Sequence, residues 1–246
     1  MKLFQWQVAA GCGLLGISCS IYALHYVIFR DMHHILIFMI GDLAFLPAEV
    51  LMVTLIIDQV LKAREKKAML TKLNMVIGIF FSKMGIGLLK ALSVFDRHTV
   101  KNRDHLIFTN AWDKQAFVKA LAMIKDTPSD INSRSGNLED LRDFLNGEKD
   151  FLLTLLGNHN LLEHENFTDL LWAVTHLSEE LALRGDLDKL SEADYSHISV
   201  DMKRAYMLVL AEWLTYMGHL KNNYPHLFSL AVRTNPFDPN ASVEFQ

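Results

Sequence analysis

Two acids stand deep in an apolar run that ends beside a third, Asp58. Residues 41–61, "GDLAFLPAEVLMVTLIIDQVL", carry Asp42 and Glu49 with Pro47 between them. Seven residues separate the acids, which places them on nearly the same side of one helix. Carboxylates at membrane depth point to an ion path, a proton relay or a contact that specifies assembly. An ionised carboxylate near the bilayer centre costs ~2.5 kcal/mol or more on insertion scales, so Glu49 calls for a partner. Pro47 removes a backbone N–H and frees a carbonyl upstream, and a kink there would admit water.

A second set of chemistry-bearing residues lies in the C-terminal half. Glu165, Asp169, His176 and Glu180 form one stripe of a helix, which invites a metal reading. That stripe falls opposite the Phe167/Val174/Leu181 stripe at 100° per residue, so it reads as a solvated face. Di-iron bundles use inward Glu and Glu-x-x-His groups, and no Glu-x-x-His occurs in this half; Asp194-x-x-His197 is its nearest relative. Glu212 interrupts "MLVLAEWL" and shares a face with His219. It reads first as a buried acid satisfied by a neighbouring His or Tyr. Glu212, His219 and His176 are the weak metal candidates, and no cofactor is expected.

Motifs of established chemistry are absent. There is no Walker A, no G-x-S-x-G and no Cys-based metal spacing. "GCGLLG" (11–16) matches G-x-G-x-x-G, but it lies inside an apolar helix with no preceding strand, so the dinucleotide reading fails. Asn166 and Asn240 begin Asn-x-Ser/Thr triplets and "NPF" spans 235–237; neither is informative in a cytoplasmic domain.

The elements that must position these residues begin with a hairpin. Residues 3–29 hold no charged side chain, longer than the ~20 residues a spanning helix needs. Residues 35–61 form a second run, with "RDMHH" as a tight turn between. A single lysine at the start and no A-x-A site argue against a cleaved signal peptide. "VAAGC" and "GISC" fit a lipoprotein signal poorly. Ala9, Gly13, Gly16, Ser20 and Ala23 make a small-residue stripe that permits close helix approach. Folding about residues 31–32 brings Asp42 level with Ser20–Tyr22 and Glu49 level with Gly13–Gly16, where Ser20 and exposed backbone offer hydrogen bonds. Cys12 and Cys19 are too far apart along the helix for a mutual disulfide and read as packing residues.

Charge gives the orientation. Residues 1–95 carry 9 Lys/Arg against 5 Asp/Glu, and residues 96–246 carry 15 against 23, for the net −4 of the chain. The acidic half lacks the basic footprint of nucleic-acid binding. Lys62, Arg64, Lys66, Lys67 and Lys72 follow the second run, whereas the turn has only Arg30. The positive-inside rule then puts both termini in the cytoplasm.

Residues 62–95 continue without Pro. Lys83, Lys90 and Arg97 recur every seven residues, and Lys83 would sit at mid-membrane in a third span. An interfacial helix, apolar side in lipid and cations at the headgroups, is the expected arrangement. From residue 96 the pattern is helical, with a loop at 126–137 and an N-cap at Asn137. One helix closes near Gly157, and another ends at Gly185 as C-cap. A last helix runs through Met202, Tyr206, Val209, Trp213, Tyr216 and Leu220. These suffice for a bundle.

"GDLAFLPAEVLMVTLIIDQVL", "REKKAMLTKLNMVIGIFFSKMG" and "YPHLFSLAVRTNPFD" resemble a family of prokaryotic proteins with two membrane spans and a helical cytoplasmic part. The resemblance implies a bacterial or archaeal inner-membrane location and a shared architecture. It brings no catalytic residues, since the family has no assigned activity.

The expected architecture is all-α: a transmembrane helical hairpin at 1–61, a juxtamembrane basic interfacial helix at 62–95, an acidic cytoplasmic helical bundle at 96–235 and a loose tail at 236–246. The expected role is interaction, signalling or scaffolding at the inner membrane rather than catalysis, with the lipid bilayer and further copies of the chain as partners and no nucleic acid. The alternatives are an oligomeric cation or proton pathway lined by Asp42 and Glu49, and a membrane-tethered metal-binding bundle enzyme.

Overall fold

The computed structural model describes residues 2–97, 105–126, 129–158, 161 and 164–244, and it is helical with no strand among them. A lone antiparallel bridge joins Asp96 to Ile131. The chain divides into two compact units, residues 1–66 and 67–246.

The first unit is a helical hairpin. Helix α1 spans Lys2–Phe29, and α2 begins at Met32 and runs to Phe80, passing through Pro47 unbroken. The turn is made by two residues. Arg30 takes a positive φ of 52° and donates its N–H to the Tyr26 carbonyl at 2.9 Å, the single-bond left-handed C-cap. Asp31 then caps α2, accepting from the His34 N–H at 3.1 Å. The His25 and His34 rings stack across the turn, with centroids 6.0 Å apart.

The second unit has the core. Phe81–Gly85 form a π-helical turn after α2, and α3 follows at Ile86–Ser93. Helices α4 (Lys114–Asp126), α5 (Leu138–Gly147), α6 (Lys149–Leu156), α7 (Glu165–Leu183), α8 (Glu192–Asn223) and α9 (Pro225–Arg233) complete it. Leu73, Ile77, Phe80, Met84, Leu88 and Leu92 recur at helical spacing and are all buried, with Trp213, Tyr206, Phe108, Phe167 and Phe228 from the other elements. The apolar side of residues 73–92 is therefore the heart of the bundle. The expectation that this side lies in lipid is overturned, because its side chains find apolar partners in their own unit.

Local signals account for the helix ends. Asn137 caps α5 as expected, its side chain accepting from the N–H groups of Glu139 and Asp140. The expected single helix closing at Gly157 breaks at Glu148 into α5 and α6. Gly185 is not a left-handed cap. No described glycine has positive φ, and α7 ends on Arg184, whose guanidinium donates to the Glu180 carbonyl at 2.7 Å and satisfies the helix end itself. Two residues of the loop expected at 126–137, 127 and 128, lie outside the described set. The tail is anchored rather than loose. Phe237 is buried against Trp213, and buried Asn235 donates to the Leu106 carbonyl at 2.9 Å.

Candidate functional site

In the hairpin, Asp42, Pro47 and Glu49 stand on α2 as exposed residues. Ser20 donates to its own Gly16 carbonyl at 2.8 Å, four residues back. The small-residue stripe is uncovered: a Cβ placed at Gly13, Gly16 or Gly41 would meet no atom within 4 Å. The expected shelter of the acids against Ala9, Gly13, Gly16 and Ala23 of the same chain is therefore not formed. The two helices meet near the turn, at His25 and His34, and the stripe at Gly13, Gly16 and Ser20 lines an open depression.

From residue 5 to residue 68 only His25 and Ile35 are other than exposed. Both helices are long and apolar enough to cross a membrane, with none of the most apolar window buried in either. A core helix of a soluble domain would be covered on at least one side; over residues 5–68 these two are covered on none.

The basic residues separate into two groups. Arg64, Lys66, Lys67 and Lys72 are exposed on α2, and Lys62 pairs with Asp58 at 2.8 Å. Lys83 points elsewhere. Its Nζ lies 3.0 Å from Glu148 Oε2, at the α5–α6 break, and 4.5 Å from the centre of the Phe151 ring. Lys90 is exposed at the end of α3.

Glu212 and His219 are on α8 but join no common site. Glu212 is buried, and burial pushes its carboxyl above the usual carboxylate range; the His164 imidazole acts in the opposite direction. His164 Nδ1 accepts from the Phe167 N–H at 3.1 Å, so the ring also caps α7. His219 lines an apolar groove with Gly78, Lys83, Tyr216, Tyr224 and Leu227, and its partial burial holds its pKa below the ordinary value. Among the described residues no three ligating side chains converge on Glu212 or His219. His176 is different: it faces Asp201 across the α7–α8 seam, 3.7 Å from Nε2 to Oδ2.

His197 was legible in the sequence only through the weak Asp194-x-x-His197 pattern, and Asp201 not at all, because the last helix was legible only from Met202 onward. The missed signal was Ser191, whose hydroxyl caps α8 by accepting from the Asp194 N–H. Starting the helix there places His197 and Asp201 one turn apart on one face.

Residues 69–233 match the family described as "Uncharacterized protein MJ1433, C-terminal helical domain", and residues 2–61 match its N-terminal helical domain. The chain belongs to this family. A relative, "Uncharacterized protein MJ1433" of Methanocaldococcus jannaschii, is 42% identical over 230 residues, 94% of this chain and 92% of its own length. Both family domains are helical, in agreement with the two units seen here. No solved structure matches the chain.

Proposed function

We propose that residues 1–61 anchor this family member in a cell membrane as a two-span hairpin, and that the helical unit after it works by interaction with other copies or partners. One observation carries the reading: from residue 5 to Leu61 the apolar side chains of α1 and α2 are exposed, Ile35 alone being half-buried, while residues 67–246 close a full core of their own. Burying each large apolar side chain is worth about 1.5–3 kcal/mol, so this surface demands a cover, and lipid supplies it over the required length. The flanking Lys62, Arg64, Lys66, Lys67 and Lys72 put the termini on the cytoplasmic side. The open stripe at Gly13, Gly16 and Ser20 is the surface for a second copy.

Oxidative cross-linking in native membranes tests the assembly. Cys12 and Cys19 are free and exposed on α1. A dimer-sized product is expected, lost in a Cys12→Ala/Cys19→Ala variant. A chain that stays monomeric both in membranes and in mild detergent removes the oligomer from the account.

A transport role is the second reading, favoured by the position of Asp42 and Glu49 on one side of α2 with exposed side chains. Proton or cation flux in liposomes, equal for the native chain and Glu49→Gln, ends it.

A further inference from the structure

We propose that the seam between α7 and α8 binds a divalent transition-metal ion of the zinc, cobalt or nickel class through His176 Nε2, His197 Nε2 and Asp201 Oδ2. The three ligand atoms lie within 4.8 Å of one another. Asp201 Oδ2 is 3.3 Å from His197 Nε2 and 3.7 Å from His176 Nε2. Ligands about 2.0–2.2 Å from a tetrahedral ion stand about 3.3–3.6 Å apart, so closing this set on an ion needs only small rotamer movements.

The helices explain why the set converges. His176 and Glu180 are one turn apart on α7, and His197 and Asp201 are one turn apart on α8. His176 faces Asp201 while Glu180 faces His197, with 3.8 Å from Oε2 to Nε2. That is the pairing of two antiparallel helices, each contributing one imidazole and one carboxylate. Both helices are fixed from the other side by core residues such as Val174, Leu177, Ile198 and Met202, so the ligands are held on rigid elements.

The decisive atom is Asp201 Oδ2. Asp201 is only 9% exposed, and this oxygen is buried with no hydrogen-bond donor directed at it. Buried carboxylate oxygens are ordinarily satisfied, and one left open between two imidazole nitrogens is what a cation would complete. Glu180 is engaged by the Arg184 guanidinium, which also lies 3.5 Å from Asp194 Oδ1. Glu180 is thus a positioning carboxylate beside the site, and the ion's first ligands are the other three.

The donor set selects the metal. Two imidazoles suit zinc, cobalt or nickel, whereas calcium and magnesium want oxygen ligands. The side chains of His176 and His197 are half exposed, at 51% and 54%. They leave an entry path and a position for water or an outside ligand, as in three-ligand zinc sites.

The test uses the full-length chain in detergent, stripped with chelator and titrated with Co²⁺ and then Zn²⁺. One Co²⁺ per chain is expected, with visible d–d bands that Zn²⁺ abolishes, and a rise in unfolding temperature with Zn²⁺. Asp201→Asn and His197→Gln are expected to weaken binding by at least ~100-fold and to remove the thermal rise, while helix content without metal is unchanged. His33→Gln/His34→Gln is expected to bind as the native chain does. Mg²⁺ should produce no effect. Absence of saturable Co²⁺ binding to the native chain, or binding that survives both ligand substitutions, overturns the site.

Discussion

Tyr216 lies over the backbone of Gly78. A Cβ added at residue 78 would come to 2.5 Å from the Tyr216 hydroxyl and 3.3 Å from its Cζ, and the same ring stacks on Phe81 with centroids 5.6 Å apart. This contact joins the end of α2 to α8. It rests on a residue with no side chain opposite one that is half-buried and stacked.

Gly78→Ala should therefore destabilise the bundle by about 1–2 kcal/mol, overpacking exceeding the gain in helix propensity. Tyr216→Phe removes the closest atom, so Gly78→Ala/Tyr216→Phe should recover most of that loss. Chemical denaturation of the four chains of the cycle reads the coupling. Additive effects would show that residue 78 is not set by Tyr216.

Lys83 is a bundle residue in this account, not a headgroup contact. Lys83→Met should cost about 0.5–1 kcal/mol through loss of the partly exposed pair with Glu148, and leave membrane attachment as it is. Lys90→Met should be near neutral. Equal weakening of vesicle binding by both substitutions would restore the interfacial reading.

Burial raises the folded-state pKa of Glu212 above the ordinary 4.5. The sign follows directly. Below the unfolded value the carboxyl is protonated in both states and costs nothing; as pH rises from there to the folded value the unfolded chain ionises first, stability falls, and the loss is complete above the folded value. Glu212→Gln lacks that penalty. The variant should gain on the native chain by about 1–3 kcal/mol between pH 4.5 and 7.5, less whatever His164 returns. Parallel unfolding curves across that range would contradict it.

The Asn137 side chain holds two N–H groups at the start of α5. Asn137→Ala should cost about 1 kcal/mol, seen as a lower denaturant midpoint at unchanged slope.

The helical class, the hairpin and the Asn137 cap were legible in the sequence because each rests on local composition or spacing. The fate of residues 73–92 was not. An apolar helical stripe bordered by lysines looks the same whether lipid or a protein core covers it, and only the long-range packing of Phe80, Met84 and Leu88 decides. Phe237 reads as a tail residue for a similar reason, since its partner Trp213 is distant in sequence. The His176/His197/Asp201 cluster was not legible, because it forms only when α7 packs on α8; Ser191, a cap followed by acids in the first turn, marks the start of α8 and so puts His197 and Asp201 on one helix face.

The hairpin's burial in lipid is tested most directly by washing native membranes with alkaline carbonate in the absence of detergent. The full chain should remain in the membrane pellet and be released only when detergent dissolves the bilayer. Recovery of the chain in the soluble fraction after the alkaline wash would contradict the account.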